Sequence, residues 1–402
     1  MQTIKDNINV VLFDDQTWQN LLPLTFTRPV SEIRVGILKI RKKWEKYLNK
    51  TCSFKTKEYL TEKYPLIQGK NTILINSSVL PNRKLVNAIQ SLKENQVILS
   101  SNIVIAANFS NHDVKLYNPD NRKNLECLKY KEDITKINYP WDIFRLNGQE
   151  IREDFTLLTT GRTSTKISKT NNLIGEGNIF VEKGAQLECT ILNASAGPIY
   201  IGRKSEIMEG SVIRGPFALC EHSVVKLSAK IYGPTTIGPH SKVGGEINNS
   251  VIQGYSNKAH DGFLGNSVIG EWCNIGADTN NSNLKNNYVE VKLWNYKEER
   301  FINTGLQFCG LIMGDHSKCG INTMFNTGTV VGVSANIFGS GFPRNFIPSF
   351  SLGGAQGYTT FNLSKALEVA QIVMERRDIQ LDEVEKGILA EVFNRTDKFR
   401  KK

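Results

Sequence analysis

Between residues 171 and 341 an aliphatic or equivalent residue recurs at every sixth position, and no other feature of the chain restricts its fold so tightly. Ile201, Ile207, Ile213, Leu219, Val225, Ile231, Ile237 and Val243 keep that interval without a slip. Small residues follow most of them four places later, as at Ser205, Ser211, Ser223, Ala229, Thr235 and Ser241, and glycine often follows directly, as in Ile201-Gly202 and Ile237-Gly238. The spacing resumes with Phe263, Ile269 and Ile275, and again with Met313, Cys319, Phe325, Val331 and Ile337. A helix repeats its buried face about every 3.6 residues and a flat strand every second one, so neither produces this interval. A parallel β-solenoid does: each hexad is a short strand plus a corner, and three hexads close one triangular coil. Coils then stack at about 4.8 Å, so backbone groups pair with the coil above or below.

Composition narrows the rest. A chain of 402 residues is long enough for more than one core, and 40% hydrophobic with 22% charged residues is the balance of a globular protein. No apolar run approaches the roughly 18 residues of a membrane span, and Met1 to Asn7 does not read as a signal or transit peptide, so a cytoplasmic protein with no membrane partner is expected. Seven scattered cysteines without a C-x-x-C pair read as reduced thiols, with Cys273 and Cys319 packing inside the hexad pattern. The net charge of +11 suits either solvated helix faces or attraction of anionic substrates such as nucleotides, sugar phosphates or coenzyme A. Basic residues are not interleaved with aromatics along a groove, so no nucleic-acid partner is expected.

Before the solenoid, Ile8-Asn9-Val10-Val11-Leu12-Phe13-Asp14 predicts a buried strand ending in acid. Ile33, Ile37, Ile40, Trp44 and Leu48 fall at helical spacing and predict a helix over 32–48. Strands are predicted at 71–75, 96–99 and 104–106, with a helix near 82–94, which implies an α/β domain with a mostly parallel sheet. A connector with a helix over 141–155 leads out of it. The solenoid is expected to break near 246–259 and over 280–308, where Glu290-Val291-Lys292-Leu293-Trp294 suggests a protruding hairpin or lid. After Gly341-Phe342-Pro343, helices at 366–377 and 382–393, capped by Asn362 or Ser364, should close the last coil. The expected layout is an α/β domain over 1–165, a β-helix over 166–345 and a helical cap over 346–402.

The stretch Lys258-Ala259-His260-Asp261-Gly262-Phe263-Leu264-Gly265 runs through Cys273-Asn274-Ile275-Gly276 to Asn280, Asn281, Ser282 and Asn283. It resembles the acetyltransferase site of the bifunctional glucosamine-1-phosphate acetyltransferases/N-acetylglucosamine-1-phosphate uridyltransferases. The chain as a whole resembles a divergent bacterial branch of that family with a shortened N-terminal domain, over most of residues 8–345 and most strongly over 254–339. The resemblance implies a nucleotidyltransferase-like α/β domain, then a left-handed parallel β-helix of hexapeptide repeats, then C-terminal helices. It also implies a homotrimer with sites between neighbouring chains, acetyl-CoA as cosubstrate, and a sugar phosphate and a nucleotide as small-molecule partners. His260 stands at the family's general base, and Asn274 and Asn283 at two of its asparagines. Lys258 is a candidate substrate ligand in the run before His260. Lys230 lies where a phosphate-binding arginine is expected, and Val333 near a backbone contact to coenzyme A. Phe263 and Leu284 replace family tyrosines, and Asp315 falls near a coenzyme-A-contacting serine.

The N-terminal domain departs further. Phe13-Asp14-Asp15-Gln16-Thr17-Trp18 replaces the family's Gly-x-Gly-Thr-Arg loop, whose amides cradle phosphate, and Arg28-Pro29-Val30 replaces a lysine-bearing segment. Asp14 or Asp15 is then a candidate Mg²⁺ ligand with Arg28 and Arg34 on phosphate; otherwise these are a strand-end acid and helix-start arginines.

The chemistry follows from the residue types. An imidazole with a pKa near roughly 6.5 can take the proton of an amine as it attacks a thioester. The Asn274 amide can stabilise the oxyanion, while Asn283 and Lys230 hold sugar hydroxyl and phosphate. The plainer readings are a corner histidine satisfied by backbone and an Asn274 in left-handed corner dihedrals. Two other classes compete. One is a metal-dependent hydratase using His222 and His240, one coil apart, for which His260 and His316 fall out of phase as a third ligand. The other is a non-catalytic sugar-nucleotide-binding scaffold or sensor.

Overall fold

Two patterns of burial divide the chain into two units in this computed structural model, which describes residues 8–67, 69–110, 114 and 125–400. The first unit takes its described residues from 8–21, 27–33 and 38–139. Its sheet contains β1 (Ile8–Phe13), β2 (Cys52–Lys55), β3 (Asn71–Asn76), β4 (Gln96–Ser100), β5 (Ile103–Ser110) and β6 (Glu126–Lys129), in the order β2-β1-β3-β5-β4-β6. β1 pairs parallel with β2 and β3, and β4 with β6, while β5 runs antiparallel between β3 and β4. Val11, Phe13, Leu74, Val97, Val104 and Ala107 form one core cluster of this unit. β2 and β6 were not predicted, because Cys52–Lys55 and Glu126–Lys129 are short and mixed in polarity.

The predicted helix over 32–48 is helical only at Ile40–Leu48. Val30–Glu32 is a 3₁₀ turn, Ile33 is extended, and Gly36 takes φ +80°. A Cβ on Gly36 would meet Glu150 and Asp154 at 2.7–2.8 Å, so the chain passes too close there for a side chain. The helix near 82–94 is shorter too, Arg83–Gln90, and the Asn82 side chain caps it by accepting from the Leu85 N–H.

The second unit comprises 22–26, 34–37 and 140–400. Most of its strands fall into three sheets of six, nine and ten, in which neighbours come from successive coils, and two further pairs stand apart from them. Apart from an antiparallel hairpin at the end of the third sheet, the ladders of these sheets are parallel. Three faces fed in rotation make a triangular parallel β-helix. All eight residues of the unbroken hexad run lie in its core cluster. In the second sheet Leu219 pairs with Ile237 eighteen residues on, as three hexads require.

The interval then shortens. Ile237 pairs with Ile252 and Val243 with Lys258, each only fifteen residues on. Residues 246–259 are therefore not an interruption: Glu246–Asn248, Val251–Gly254 and Asn257–Lys258 give one strand to each face. The expectation for Phe263 is also corrected. Leu264 holds the inward position and Phe263 faces outward, because the corner before Ile269 is one residue short of a hexad.

The 280–308 insertion forms the expected hairpin, Lys292–Asn295 against Arg300–Asn303. Helix Pro140–Thr159 packs on the second sheet, where Asn147 donates to the Pro234 carbonyl at 3.0 Å and accepts from Thr236 at 3.0 Å. Helices Leu363–Glu375 and Glu383–Arg395 follow, capped by Asn362 and Asp382. The second meets the last coil through Phe350 and Phe393, ring centroids 5.1 Å apart. The first lines a cavity beside the third sheet. No helix among the described residues is long and apolar enough to cross a membrane, and all seven cysteines are free.

Candidate functional site

In the third sheet the residue before each inward position faces out. Read across successive coils, those residues are Lys242, Asn257, Asn274 and Lys318, paired in register. They line a cavity of about 650 Å³ together with His260, Tyr255, Trp272, Ile321 and, from the turn after helix Leu363–Glu375, Arg376 and Arg377. His260 stands on the loop after strand Asn257–Lys258, exposed, and its ring makes no hydrogen bond among the described residues. Asn274 is exposed and lies in a strand, not in left-handed corner dihedrals; that conformation belongs to Trp272, φ +63°.

The cavity is cationic. Lys318 donates to the His316 carbonyl at 2.9 Å and Arg377 to the Asn257 side-chain oxygen at 3.2 Å. Burial depresses the pKa of Lys242, with Arg377, Lys226 and Arg376 adding to it; burial and then Arg376 depress Arg377; burial depresses Lys318. Among the described residues, none of Lys242, Lys318, Arg376 and Arg377 pairs with a carboxylate. Four cations line one space, and the carboxylate acting on Lys242, Glu206, only partly offsets the burial and the neighbouring cations.

Behind Tyr255 and Trp272 runs a column of near-parallel rings. His222, His240, Tyr255, Trp272 and His316 stack with centroids 4.8, 4.9, 4.3 and 6.3 Å apart. His222 and His240 thus share a face as their spacing predicts, but the next ring is a phenol. Among the described residues no three or more His, Cys, Asp or Glu side chains converge as metal ligands.

Other candidates lie elsewhere. Lys258 occupies the inward register opposite Val243 and is 2% exposed, so it cannot reach a substrate in the cavity. Its ammonium donates instead to the carbonyls of His260 and Asp261, the latter at 2.8 Å, and burial pushes its pKa down to about 8. Lys230 is exposed on the first sheet beside Glu246, 3.7 Å away, and does not line the cavity. Asn283 donates to the Asn266 side chain at 2.8 Å and is also outside the lining. Val333 offers no backbone contact: its N–H donates to Ser349 Oγ and its carbonyl accepts from Phe350, both committed within the helix. Asp315 accepts from the Glu271 N–H at 2.8 Å. Arg34 is buried and clamps its own unit, donating to the carbonyls of Gln253, at 3.3 Å, and Ile37. These burials and partners remove Arg34 and Val333 from ligand binding.

In the first unit Arg28 is buried. Asp14 accepts from the Val30 N–H at 3.0 Å and from Thr56 at 2.6 Å, and burial raises its pKa to about 7. Asp15 accepts from the Thr17 N–H at 2.8 Å and Asn76 at 2.9 Å, with Lys136 3.5 Å away. Burial alone would raise Asp15, but Lys136 and these hydrogen bonds outweigh it and hold the carboxyl below its ordinary value. Mg²⁺ wants anionic oxygens free to turn toward it. All four oxygens here accept from the protein, so in this structure Asp14 and Asp15 brace the loop after β1.

Lys242, Lys318, Arg376 and Arg377 were missed. Lys242 and Lys318 each immediately precede an inward residue, Val243 and Cys319, and that offset is legible in the hexad count. The adjacent pair Arg376-Arg377 ends the helix predicted over 366–377 but gives no sign of what it faces.

Fold and cavity together define a class: a nucleotidyltransferase-like α/β unit joined to a hexapeptide-repeat β-helix. Residues 10–163 match the sugar nucleotidyl transferase family. The chain is 29% identical over 218 residues to the bifunctional protein GlmU of Methanococcus aeolicus, covering 54% of this chain and 46% of that protein. It is 29% identical over 210 residues to GlmU of Methanocaldococcus jannaschii, covering 52% and 44%. With the bifunctional sugar-1-phosphate nucleotidylyltransferase/acetyltransferase of Sulfurisphaera tokodaii it shares 31% over 144 residues, 35% of each chain. The chain matches under half the length of each of these relatives. It is thus similar, over part of its length, to bifunctional sugar-1-phosphate nucleotidylyltransferase/acetyltransferases.

Proposed function

We propose that the β-helix transfers an acetyl or similar acyl group from acyl-CoA to the amine of an amino sugar phosphate, at the His260 cavity. One observation carries this reading: four cations without a carboxylate partner surround an exposed, unengaged imidazole, an arrangement that favours a polyanionic ligand beside a proton acceptor. Lys242, Lys318, Arg376 and Arg377 would take the phosphates of coenzyme A. The acceptor amine attacks the thioester carbonyl while His260 removes its proton. Asn274, exposed in the same cavity, donates to the oxyanion. The C–S bond then breaks, and the thiolate leaves and takes up the proton that His260 carries.

The N-terminal unit, on its family match, would transfer a nucleotidyl group to a sugar 1-phosphate, with UTP as the donor to test first. The working form is a cytoplasmic homotrimer in which a neighbouring chain covers the open side of the cavity, where Ile321 is 70% exposed. Incubation with acetyl-CoA and glucosamine 1-phosphate should release free thiol, and incubation with UTP and a sugar 1-phosphate should release pyrophosphate. Binding of these compounds without turnover in either assay would favour the scaffold reading.

A further inference from the structure

Along the third sheet the inward positions Leu187, Ile207, Val225, Val243, Ile275, Cys319 and Ile337 all pack in the core, and one further inward position of the same column carries a charge. That one is Lys258. A lysine in an apolar interior is disfavoured unless its ammonium is hydrogen-bonded. Here its stem fills the aliphatic position and its tip reaches the carbonyls of His260 and Asp261 at the next corner. The Asp261 carbonyl also receives the Asp278 N–H at 3.1 Å. The need for such a tie is local. The corner beneath, from the third sheet to the first, runs only from Val243 to Ile247, whereas the corner that carries His260 takes the full hexad from Lys258 to Leu264 and has to stack on that shorter turn. Gly245, stacked beneath it at φ +72°, comes so near that a Cβ there would stand 2.8–2.9 Å from Asp261 and from the His260 carbonyl. The charged groups nearest the ammonium are Asp261 and Asp278, which partly offset the burial that lowers its pKa.

We propose that Lys258 is a positioning residue for the acyl-transfer base: from inside the prism its ammonium grips the backbone of the His260 corner and sets the direction in which the imidazole enters the cavity. It touches neither substrate nor reacting atoms. The inference rests on the reading of His260 as the base, so its test needs one arm that does not depend on turnover.

The test compares wild type with Lys258→Met, which keeps the stem volume and removes the donor, and Lys258→Gln, which keeps an amide donor on a shorter stem. Circular dichroism and Tm report folding in each. Steady-state kinetics should give Lys258→Met a kcat about 10-fold to 100-fold lower, with KM for acetyl-CoA within about 2-fold, and Lys258→Gln a partial recovery of kcat. In the second arm, the imidazole carbon-bound proton of His260 is assigned by its loss in His260→Gln and followed by NMR. It should be one narrow resonance in wild type and broadened or split in Lys258→Met. A Met variant with wild-type kcat and an unchanged His260 resonance would overturn the proposal. So would a Gln variant whose loss appears in KM and Tm together, since that marks a general packing role. If the Met variant does not fold, the Gln variant decides by the same two readouts. An altered resonance without measurable acyl transfer in any form would uphold the positioning role and remove the acyl-transfer reading alone.

Discussion

The loop after β1 and the cavity beside the third sheet both gather charged side chains, yet they handle charge in opposite ways. At the loop, Asp14 and Asp15 are surrounded by donors of their own unit until no carboxylate oxygen is left over. At the cavity, Lys242, Lys318, Arg376 and Arg377 gather without an ion-pair partner among the described residues, and burial, with neighbouring cations, lowers the basicity of Lys242 and Arg377. The first arrangement stabilises a fold. The second raises the energy of the empty protein and lowers it again when an anion arrives, which is what a binding site has to do.

The contrast can be broken most directly at His260. His260→Ala should lower kcat for acetyl transfer by about 10²–10⁴-fold with circular dichroism unchanged; an unaltered rate would leave the cavity with no base. At the loop, Asp14 has a folded pKa of about 7 against an ordinary 3.8, so the folded state holds a proton that the unfolded state has lost between those values. Stability of the first unit should therefore fall as pH rises from about 4 to 7, by at most about 4 kcal/mol, and Asp14→Asn should flatten that slope in urea titrations. If the slope persists in the variant, Asp14 is not the group responsible.

Lys258 supplies the mirror case in the β-helix. Its folded pKa of about 8 lies below the ordinary 10.5, so the unfolded state binds more protons between those values and stability should rise with pH across that window. The rise, at most about 3 kcal/mol, should appear as the difference between wild type and Lys258→Met, which cancels the other titrating groups. The smallest effect is expected from the rim: Arg376→Ala and Arg377→Ala should each raise KM for acetyl-CoA about tenfold, and added salt should shrink the gap to wild type. Equal KM values at low salt would show that the cationic crowding serves something other than this ligand.

How far the sequence led depends on whether a signal was periodic or spatial. The β-helix was legible because its buried residues repeat: all of Ile201 through Val243 were placed correctly by counting. Counting failed where coils shorten, which is why Phe263 was put inside in place of Leu264, and 246–259 was read as a break. His260 and Asn274 were found through a local motif, and they do share a cavity. Lys230 and Asn283 were assigned by alignment to the same site, yet neither lines this chain's cavity. Arg34, Val333, Asp14 and Asp15 have chemically suitable groups that are consumed by hydrogen bonds across long sequence separations, and no local pattern discloses those partners. Arg376 and Arg377 escaped for a related reason: the helix that carries them was expected to close the last coil, whereas it runs beside the third sheet.

A stack whose layers touch only their immediate neighbours can absorb a missing corner without passing the error along. The layer ending at Lys258 is three residues short of its predecessors, yet by Met313 and Val331 the ladder again advances by eighteen. Length is therefore an adjustable variable in this architecture, separable from side-chain identity. The storey where it was adjusted lies directly beneath the corner that holds the imidazole out to solvent.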